Sequence, residues 1–264
     1  MRREIFYRTL TDAANVARDC GKRDTERDSW AGGSFEEAYD LATKGWPEGA
    51  TIASKIVGKI VDRTVASASM PVMTTEVAWD VQGAAYDTGA YLAGVPECWG
   101  TFAPVEAKRG VRLVCNMSVS AGVPKESITS RGLAMTALAM LLQSHGYPVT
   151  IDVCAFWSYQ SSVDLEGRVM HVVRLADAES GSILDFDRIT YALAHPTMVR
   201  RLGFTLAYAD GCPTSSNMGV PVDVLPSGDV DLFIGGAHLQ QVNRWQDGGE
   251  AWVLAEYLKQ TMGV

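Results

Sequence analysis

The sequence has no apolar run as long as a membrane-spanning helix, no C-x-x-C pair and no excess of basic residues. A bilayer span needs about 20 mostly apolar residues, so a transmembrane helix is not expected. The first residues also lack the apolar segment of a signal peptide. The odd number of cysteines argues against a disulfide framework and predicts a reducing, cytoplasmic setting. The cysteines are Cys20, Cys98, Cys115, Cys154 and Cys212.

The scarcity of basic residues bears on the kind of partner. The chain has 264 residues and a formal net charge of -8. Nucleic acids and anionic membrane surfaces are themselves negative, so both classes of partner are disfavoured. Hydrophobic residues make up 47% of the chain, which is enough to build the core of a large domain.

Familiar catalytic signatures are also missing. The sequence contains no P-loop, no G-x-G-x-x-G, no G-x-S-x-G, no H-E-x-x-H and no zinc-ligand spacing. Each of the four histidines has a structural interpretation that is more probable than a catalytic one; they are His145, His171, His195 and His238. Arg200 and Arg201 are interpreted as part of a solvated helix face. The sequence therefore offers no catalytic constellation.

The stretch that organises the chain is residues 110–156. An apolar run is followed by the polar turn Asn116-Met117-Ser118-Val119-Ser120, then by a long segment with helical periodicity and a second β-branched run. This succession predicts strand, loop, helix, strand. In such a unit the loop at the carboxyl end of the first strand is the usual ligand position. Here that loop carries an Asn, two Ser and no basic residue.

Residues 1–72 are predicted to form an N-terminal helical extension. A short helix is expected within residues 1–29. Ser34 and Glu37 fit a capping box that starts a second helix, and residues 48–63 keep the apolar spacing of a third.

Residues 73–264 are predicted to form the main α/β domain. Period-two alternation predicts a strand over 73–81, and a short helix is expected over 83–92. Further strands are predicted over 168–176, 204–209 and 229–234. A helical segment broken at His195-Pro196 and a last helix over 249–262 complete the pattern. This alternation predicts a three-layer, Rossmann-like domain with a mostly parallel sheet.

The order of elements and the N-x-S-x-S loop resemble the von Willebrand factor A (vWA) domain over residues 108–264. In that family the first strand ends in D-x-S-x-S, which helps to form a metal-ion-dependent adhesion site for Mg²⁺. The resemblance places this motif on Asn116, Ser118 and Ser120, and a later Asp-Gly on Asp210-Gly211. Thr190 is the nearest candidate for the family's Thr.

Asn116 departs from the family motif, because the vWA domain has Asp there. An amide oxygen lacks the charge that Mg²⁺ prefers in its ligands, so a degenerate metal site is expected. The alternative is that Asn116, Ser118 and Ser120 only cap the following turn through side-chain to backbone hydrogen bonds.

The whole chain is also similar to a family without assigned activity that is encoded by actinobacterial phages and mobile elements. The segments that carry this similarity are W-x-G-G-S-F-E-E-A (residues 30–38), G-W-P-E-G (45–49), L-A-G-V-P-E-C-W (92–99) and L-A-H-P-x-x-x-R-R-L-G-F (193–204). The similarity implies a genomic context and no mechanism.

The leading hypothesis is a non-enzymatic, cytoplasmic protein that binds a protein partner. Its binding face would comprise Ser118, Ser120, Asp210 and Asn217. Two alternatives stay open: a metal-dependent or nucleophilic enzyme that uses the same loops with Asp185, Asp187 or Asp210, and a structural component of a virion. The partner and the oligomeric state are not determined by the sequence.

Overall fold

The computed structural model describes residues 3–21, 28–64, 77–82, 85–102, 109–120, 122–144, 146–158, 169–178, 184–209, 220–221 and 223–236. Among these residues, no helix is both long enough and apolar enough to cross a membrane. The predicted helix over 249–262 lies outside the described residues.

The predicted strand, loop, helix and strand of residues 110–156 are confirmed. Strand β5 (Val111–Asn116) leads through the polar loop into helix α6 (Lys125–Ser144), and β6 (Val149–Ser158) follows. Strands β5 and β6 pair in parallel, with Val111 opposite Val149. The short strand β9 (Leu232–Ile234) pairs in parallel with the other side of β5. The carboxyl ends of all three strands therefore meet at one edge, which we call the carboxyl edge.

Two further strands extend the sheet beyond β6. Strand β7 (Val169–Ala176) is antiparallel to β6, and β1 (Arg3–Tyr7) is parallel to β7. The order is β1-β7-β6-β5-β9, and the short β8 (Val220–Pro221) also pairs with β6. Three of the four neighbouring pairs along this path are parallel, so the predicted α/β fold with a mostly parallel sheet is confirmed.

Strand β1 corrects the prediction of an all-helical N-terminal extension. Its alternation is hard to recognise because Arg3 and Glu4 stand at its start, and only Tyr7 within it is buried. Pairing with β7 supplies the hydrogen bonds that fix it as a strand. The following helices, α1 (Leu10–Asp19) and α3 (Phe35–Lys44), bury residues in the same core as β5 and β6. Strand β1 and helices α1 and α3 are thus built into the main core.

The helix starts follow the local sequence closely. Ser34 and Glu37 form the predicted capping box of α3, and Thr9 with Asp12 form a second box at α1. A short helix, α2 (Asp28–Ala31), precedes α3, and α4 (Pro47–Thr64) follows it close to its predicted bounds. Helices α1 and α6 pack against the sheet face that carries Leu113, Ile151 and Val173, whereas α4 packs against α6.

The predicted break at His195-Pro196 is confirmed. Helix α7 (Phe186–Ala194) ends there, and a π-helical segment, Met198–Gly203, continues directly into α8 (Phe204–Ala209). The predicted strand over 204–209 is therefore wrong. All residues from Phe204 to Tyr208 are buried, so the apolar alternation does not distinguish two faces. A short apolar run of this kind fits a buried helix as well as a strand.

A small antiparallel unit occupies residues 77–102. Its strands are β2 (Val77–Asp80), β3 (Ala85–Tyr86) and β4 (Trp99–Phe102), in the order β2-β4-β3. The second half of the predicted strand over 73–81 is confirmed, and residues 73–76 lie outside the described residues. The helix predicted over 83–92 is shorter than expected: α5 (Thr88–Leu92) follows β3 and is capped by Asp87.

The sheet face opposite α6 carries a buried charge cluster. Asp152 is fully buried and accepts hydrogen bonds from Arg112 Nη2 at 2.7 Å and from Arg174 Nε at 2.8 Å. Both arginines are mostly buried, so the carboxylate is needed to compensate their charge. This cluster ties β5, β6 and β7 together across the sheet.

Candidate functional site

The loop after β5 is organised by the side chain of Asn116, the last residue of the strand. Asn116 is fully buried, and its Oδ1 accepts a hydrogen bond from the backbone N–H of Ser118 at 2.9 Å. Its Nδ2 donates to Oδ1 of Asp223 at 2.8 Å. The first contact needs the amide oxygen and the second needs the amide N–H, so together they fix the orientation of the side chain. The amide therefore joins the loop to a carboxylate 107 residues away.

Asp223 occupies the space at the end of β9. Its Oδ1 also accepts a hydrogen bond from the backbone N–H of Gly236. A Cβ atom at Gly235 would overlap the Asp223 carboxylate, and one at Gly236 would overlap the carbonyl oxygen of Ser118. The two glycines thus let the Asp223 side chain and the Ser118 backbone approach the strand end closely.

The predicted site residues separate into three groups. Asn116 and Ser118 lie together at the carboxyl edge, but Ser118 is fully buried and presents no side-chain surface to a partner. Ser120 is half-buried and remains accessible. Asp210 and Asn217 lie outside the described residues. Helix α8 ends at Ala209, so Asp210 follows a helix and not the strand on which its assignment was based.

Two buried arginines donate hydrogen bonds to backbone carbonyls at the two ends of the same loop. Arg131, from α6, is fully buried and donates to the carbonyl oxygen of Asn116 at 3.0 Å. Arg200, from the π-helical segment, donates to the carbonyl oxygens of Val123 and Trp30 at 2.5 Å each. Arg201 is also buried and donates to the carbonyl oxygen of Gly33. The interpretation of Arg200 and Arg201 as a solvated face is therefore wrong.

Cys115 is the thiol nearest this loop. It is fully buried, and burial raises the pKa of its thiol even though the nearby charge of Arg131 acts in the opposite direction. A thiol is a nucleophile only as the thiolate, which this environment disfavours. The site therefore does not present Cys115 for nucleophilic chemistry.

Among the described residues, Asn116, Ser118 and Asp223 are not arranged as ligands of a Mg²⁺ site of the vWA type. Such a site needs several oxygen atoms directed at one point. Here Oδ1 of Asn116 accepts from Ser118 N–H, while Nδ2 of Asn116 and the N–H of Gly236 both point at the Asp223 carboxylate. Hydrogen-bond donors thus point at the Asp223 carboxylate from both of these residues. Within the described part of the chain, no group of three or more His, Cys, Asp or Glu side chains is arranged to hold a metal.

Asp185 and Asp187, two residues of the enzymatic alternative, make local structural contacts. Asp185 caps α7, since its Oδ1 accepts from the backbone N–H of Arg188 at 3.1 Å, and it also pairs with the Arg188 side chain. The backbone carbonyl of Asp187 accepts from Trp46 N–H, joining α7 to the start of α4. Thr190 donates to the carbonyl of Phe186 within the helix. None of these contacts creates a catalytic pair.

Two of the four histidines lie within the described residues: His171 is buried and His195 is half-buried. His171 Nδ1 lies 3.1 Å from the hydroxyl of Tyr7 and joins β7 to β1. His195 Nδ1 lies 2.8 Å from the hydroxyl of Thr197, and its ring meets Trp46 edge-on. Both rings therefore link neighbouring elements. His145 and His238 lie outside the described residues.

His195 is expected to make stability depend on pH. Burial lowers its pKa, although the charge of Glu37 opposes the shift. The unfolded chain then binds a proton near pH 6.5, where the folded protein does not, so stability is complete above about pH 6.5 and falls as the pH decreases below it. Urea unfolding at a series of pH values between 7.5 and 5 measures this loss. His195→Asn, which keeps a polar atom near Thr197, is expected to flatten it, and an unchanged pH slope would contradict the prediction.

The structure also identifies residues that sequence reasoning missed. Asp223, Arg131 and Arg200 all contact the loop after β5 or its continuation. Arg131 lies within an apolar helix and Asp223 within a loop rich in Pro and Gly, so neither has a local signal. Only their contacts across the fold reveal a role.

The fold and this edge define an α/β protein with a polar, hydrogen-bonded site where its parallel strands end. A family model described as a domain of unknown function, DUF7192, matches residues 4–262. The match covers nearly the whole chain, so the protein belongs to the DUF7192 family. The predicted membership of a family without assigned activity is thereby confirmed. No curated protein and no solved structure matches the chain.

Proposed function

We propose that this protein is a non-enzymatic interaction protein that binds a protein partner at the carboxyl edge of a vWA-like domain. The observation that carries the proposal is the polar loop after β5, which is fixed in one conformation by Asn116 and Asp223. A preformed loop loses less conformational entropy on binding, which favours recognition.

The order of the described elements supports the vWA-like assignment. A strand, an N-x-S-x-S loop, a helix, a parallel strand and an antiparallel strand follow one another from β5 to β7. Residues 204–209 form a helix, so one of the strands on which the resemblance was based is not a strand. The proposal therefore depends on the β5-α6-β6-β7 portion and on its loop.

The Asn at position 116, where the vWA motif has Asp, fits a loop that binds a protein partner without a cation. In the vWA family a metal ion is the feature that organises this loop. Here the amide of Asn116 and the carboxylate of Asp223 make a direct hydrogen bond in that region. The accessible surface beside this pair is formed by Ser120, Gly122 and Asp223, and we propose it as the contact surface.

We further propose that the protein acts inside a bacterial cell and is encoded by a phage or mobile element. The odd number of cysteines, none of them in a C-x-x-C pair, is in keeping with a reducing compartment. The four sequence segments similar to the phage-encoded family support the genomic context.

Blocking the loop tests the proposed contact surface. A Cβ atom at Gly122 would meet no atom within 4 Å, and the same holds for Gly58 on α4. Both glycines are exposed, so Gly122→Tyr adds bulk at the carboxyl edge and Gly58→Tyr is a matched control. Proteins that co-purify from host cells with the wild type and with Gly58→Tyr are expected to be lost with Gly122→Tyr. Equal recovery with all three proteins would reject this surface.

Mg²⁺ titration by calorimetry distinguishes the proposal from a metal-dependent enzyme. The hydrogen-bonded Asn116–Asp223 pair leads us to expect no specific Mg²⁺ binding by the wild-type protein. Stoichiometric binding that disappears in Asp223→Asn would favour the metal-dependent class.

Detection of the protein in purified particles by mass spectrometry would instead favour the virion alternative.

A further inference from the structure

We infer that the unit formed by residues 77–102 carries a second docking surface, which binds a basic protein segment bearing apolar side chains. This surface shares no residue with the loop after β5 and goes beyond the function proposed above. It consists of the exposed apolar residues of the unit, which are Val81, Tyr91, Leu92 and Val95. We call it the apolar patch.

The exposure of the patch is unusual for residues of this type. Leu92 is 79% exposed and Tyr91 is 58% exposed. Helix α5 buries none of its residues. Other exposed large apolar residues of the described chain, such as Val16 and Ile52, are scattered over separate helices. A concentration of exposed apolar side chains within a short segment is typical of an interaction surface.

Hydrogen bonds hold the patch in a defined shape. Asp87 Oδ1 accepts from the N–H groups of Gly89 and Ala90 at 2.8 and 3.0 Å, which fixes the start of α5. The N–H of Asp87 donates to the carbonyl of the buried Cys98, and the N–H of Val95 donates to the carbonyl of Ala90. The helix and the turn after it are therefore preorganised, which lowers the entropic cost of binding.

The charge of the unit indicates the chemistry of the partner. Residues 77–102 contain no Lys, Arg or His, and their charged residues are Asp80, Asp87 and Glu97. Asp87 and Glu97 are exposed beside the patch. A basic segment is attracted to this surface, whereas nucleic acid, an anionic membrane or a second acidic copy of the chain is repelled. Apolar side chains on the same segment would cover Tyr91 and Leu92.

Two designed peptides test this inference. One is an amphipathic peptide of Leu and Lys, and the other replaces each Lys by Glu. Fluorescence anisotropy with the full chain is expected to show that the Leu/Lys peptide binds at least about tenfold more tightly than the Leu/Glu peptide, and that added salt weakens its binding. The double variant Tyr91→Ser/Leu92→Ser is expected to lose about tenfold in affinity or more.

The control removes exposed apolar residues elsewhere. Val16→Ser/Ile52→Ser deletes two half-exposed apolar side chains from other helices and is expected to bind the Leu/Lys peptide like the wild type. Equal loss in both double variants, or equal affinity for the two peptides, would overturn the inference. Sedimentation tests the remaining possibility. If the protein dimerises in a concentration-dependent way and Tyr91→Ser/Leu92→Ser abolishes the dimer, the patch serves self-association and the inference is overturned. Normal peptide binding by Gly122→Tyr is expected, since the two surfaces are distinct.

Discussion

Asn116→Asp is expected to destabilise the protein by about 1 to 3 kcal/mol at neutral pH. The substitution replaces the N–H that points at Asp223 by an oxygen atom, at a site where the two atoms are 2.8 Å apart. Asn116 is fully buried, although Asp223 is exposed and solvent screens part of the repulsion. Two carboxylates so close together are not both ionised without a penalty.

The pH dependence of this variant follows from the same repulsion. The new carboxyl group is expected to have a raised pKa in the folded protein, so the folded variant holds a proton that the unfolded chain releases near pH 4. The difference in stability from the wild type should therefore shrink as the pH falls towards about 4. Urea unfolding of both proteins between pH 7.5 and 4 provides the measurement.

A swapped pair provides the control. Asn116→Asp/Asp223→Asn restores one amide and one carboxylate at this contact, so that two carboxylates no longer face each other. We expect the double variant to be more stable than Asn116→Asp, which a double-mutant cycle quantifies. Added Mg²⁺ is expected to stabilise Asn116→Asp and to leave the wild type unchanged, since only the variant places two carboxylates together. A variant as stable as the wild type at neutral pH would show that the Asn116–Asp223 contact does not organise the edge.

Gly132→Ala is expected to cost about 3 kcal/mol or more, because it forces two helices apart. A Cβ atom at Gly132 would overlap the Cα atom of Ala194 and the backbone carbonyl of Leu193. These atoms belong to α7, so the backbones of α6 and α7 touch at this point. All three residues are buried, and neither backbone has room to move without losing core contacts.

The same substitution at another helical glycine makes a matched control. Gly58 lies within α4, is exposed, and would meet no neighbouring atom with an added Cβ. Gly58→Ala is expected to stabilise the protein by about 0.5 to 1 kcal/mol, since alanine restricts the unfolded chain. Thermal and urea unfolding measure both variants. If Gly132→Ala unfolds like the wild type, the close contact of α6 with α7 is incorrect.

The elements with strong local signals were predictable. The β5-α6-β6 unit combines a β-branched run, a long helical period and a second run, and residues 110–156 fold accordingly. Ser34 and Glu37 mark a helix start through contacts three residues apart, so the sequence contains the whole signal. Strand β1 and helix α8 lack such a signal. Strand β1 forms because β7 pairs with it. Residues 204–208 of helix α8 are all buried, so their apolar pattern does not show a helical period.

The residues of the candidate site were likewise predictable only in part. The motif pointed to Asn116 and Ser118, because their spacing places a side-chain oxygen near a backbone N–H two residues on. It gave no indication of Asp223 or of Arg131, whose contacts with Asn116 join residues distant in the chain. The interpretation of Arg200 as a surface residue failed for a related reason. Its charge led us to expect a solvent-exposed side chain, but the backbone carbonyls of Trp30 in α2 and of Val123 in the loop after β5 accept its hydrogen bonds.

The amino-acid sequence by itself determined the α/β class, the polar loop after β5 and the absence of the Asp that a vWA metal site requires. These depend on periodicity, composition and short spacings. Only the tertiary structure decided what the loop contacts. Folding brings Asp223 to the Asn116 amide, so a direct hydrogen bond stabilises the loop. It also exposes Tyr91 and Leu92 while it buries residues of similar polarity elsewhere, because burial depends on which elements pack together.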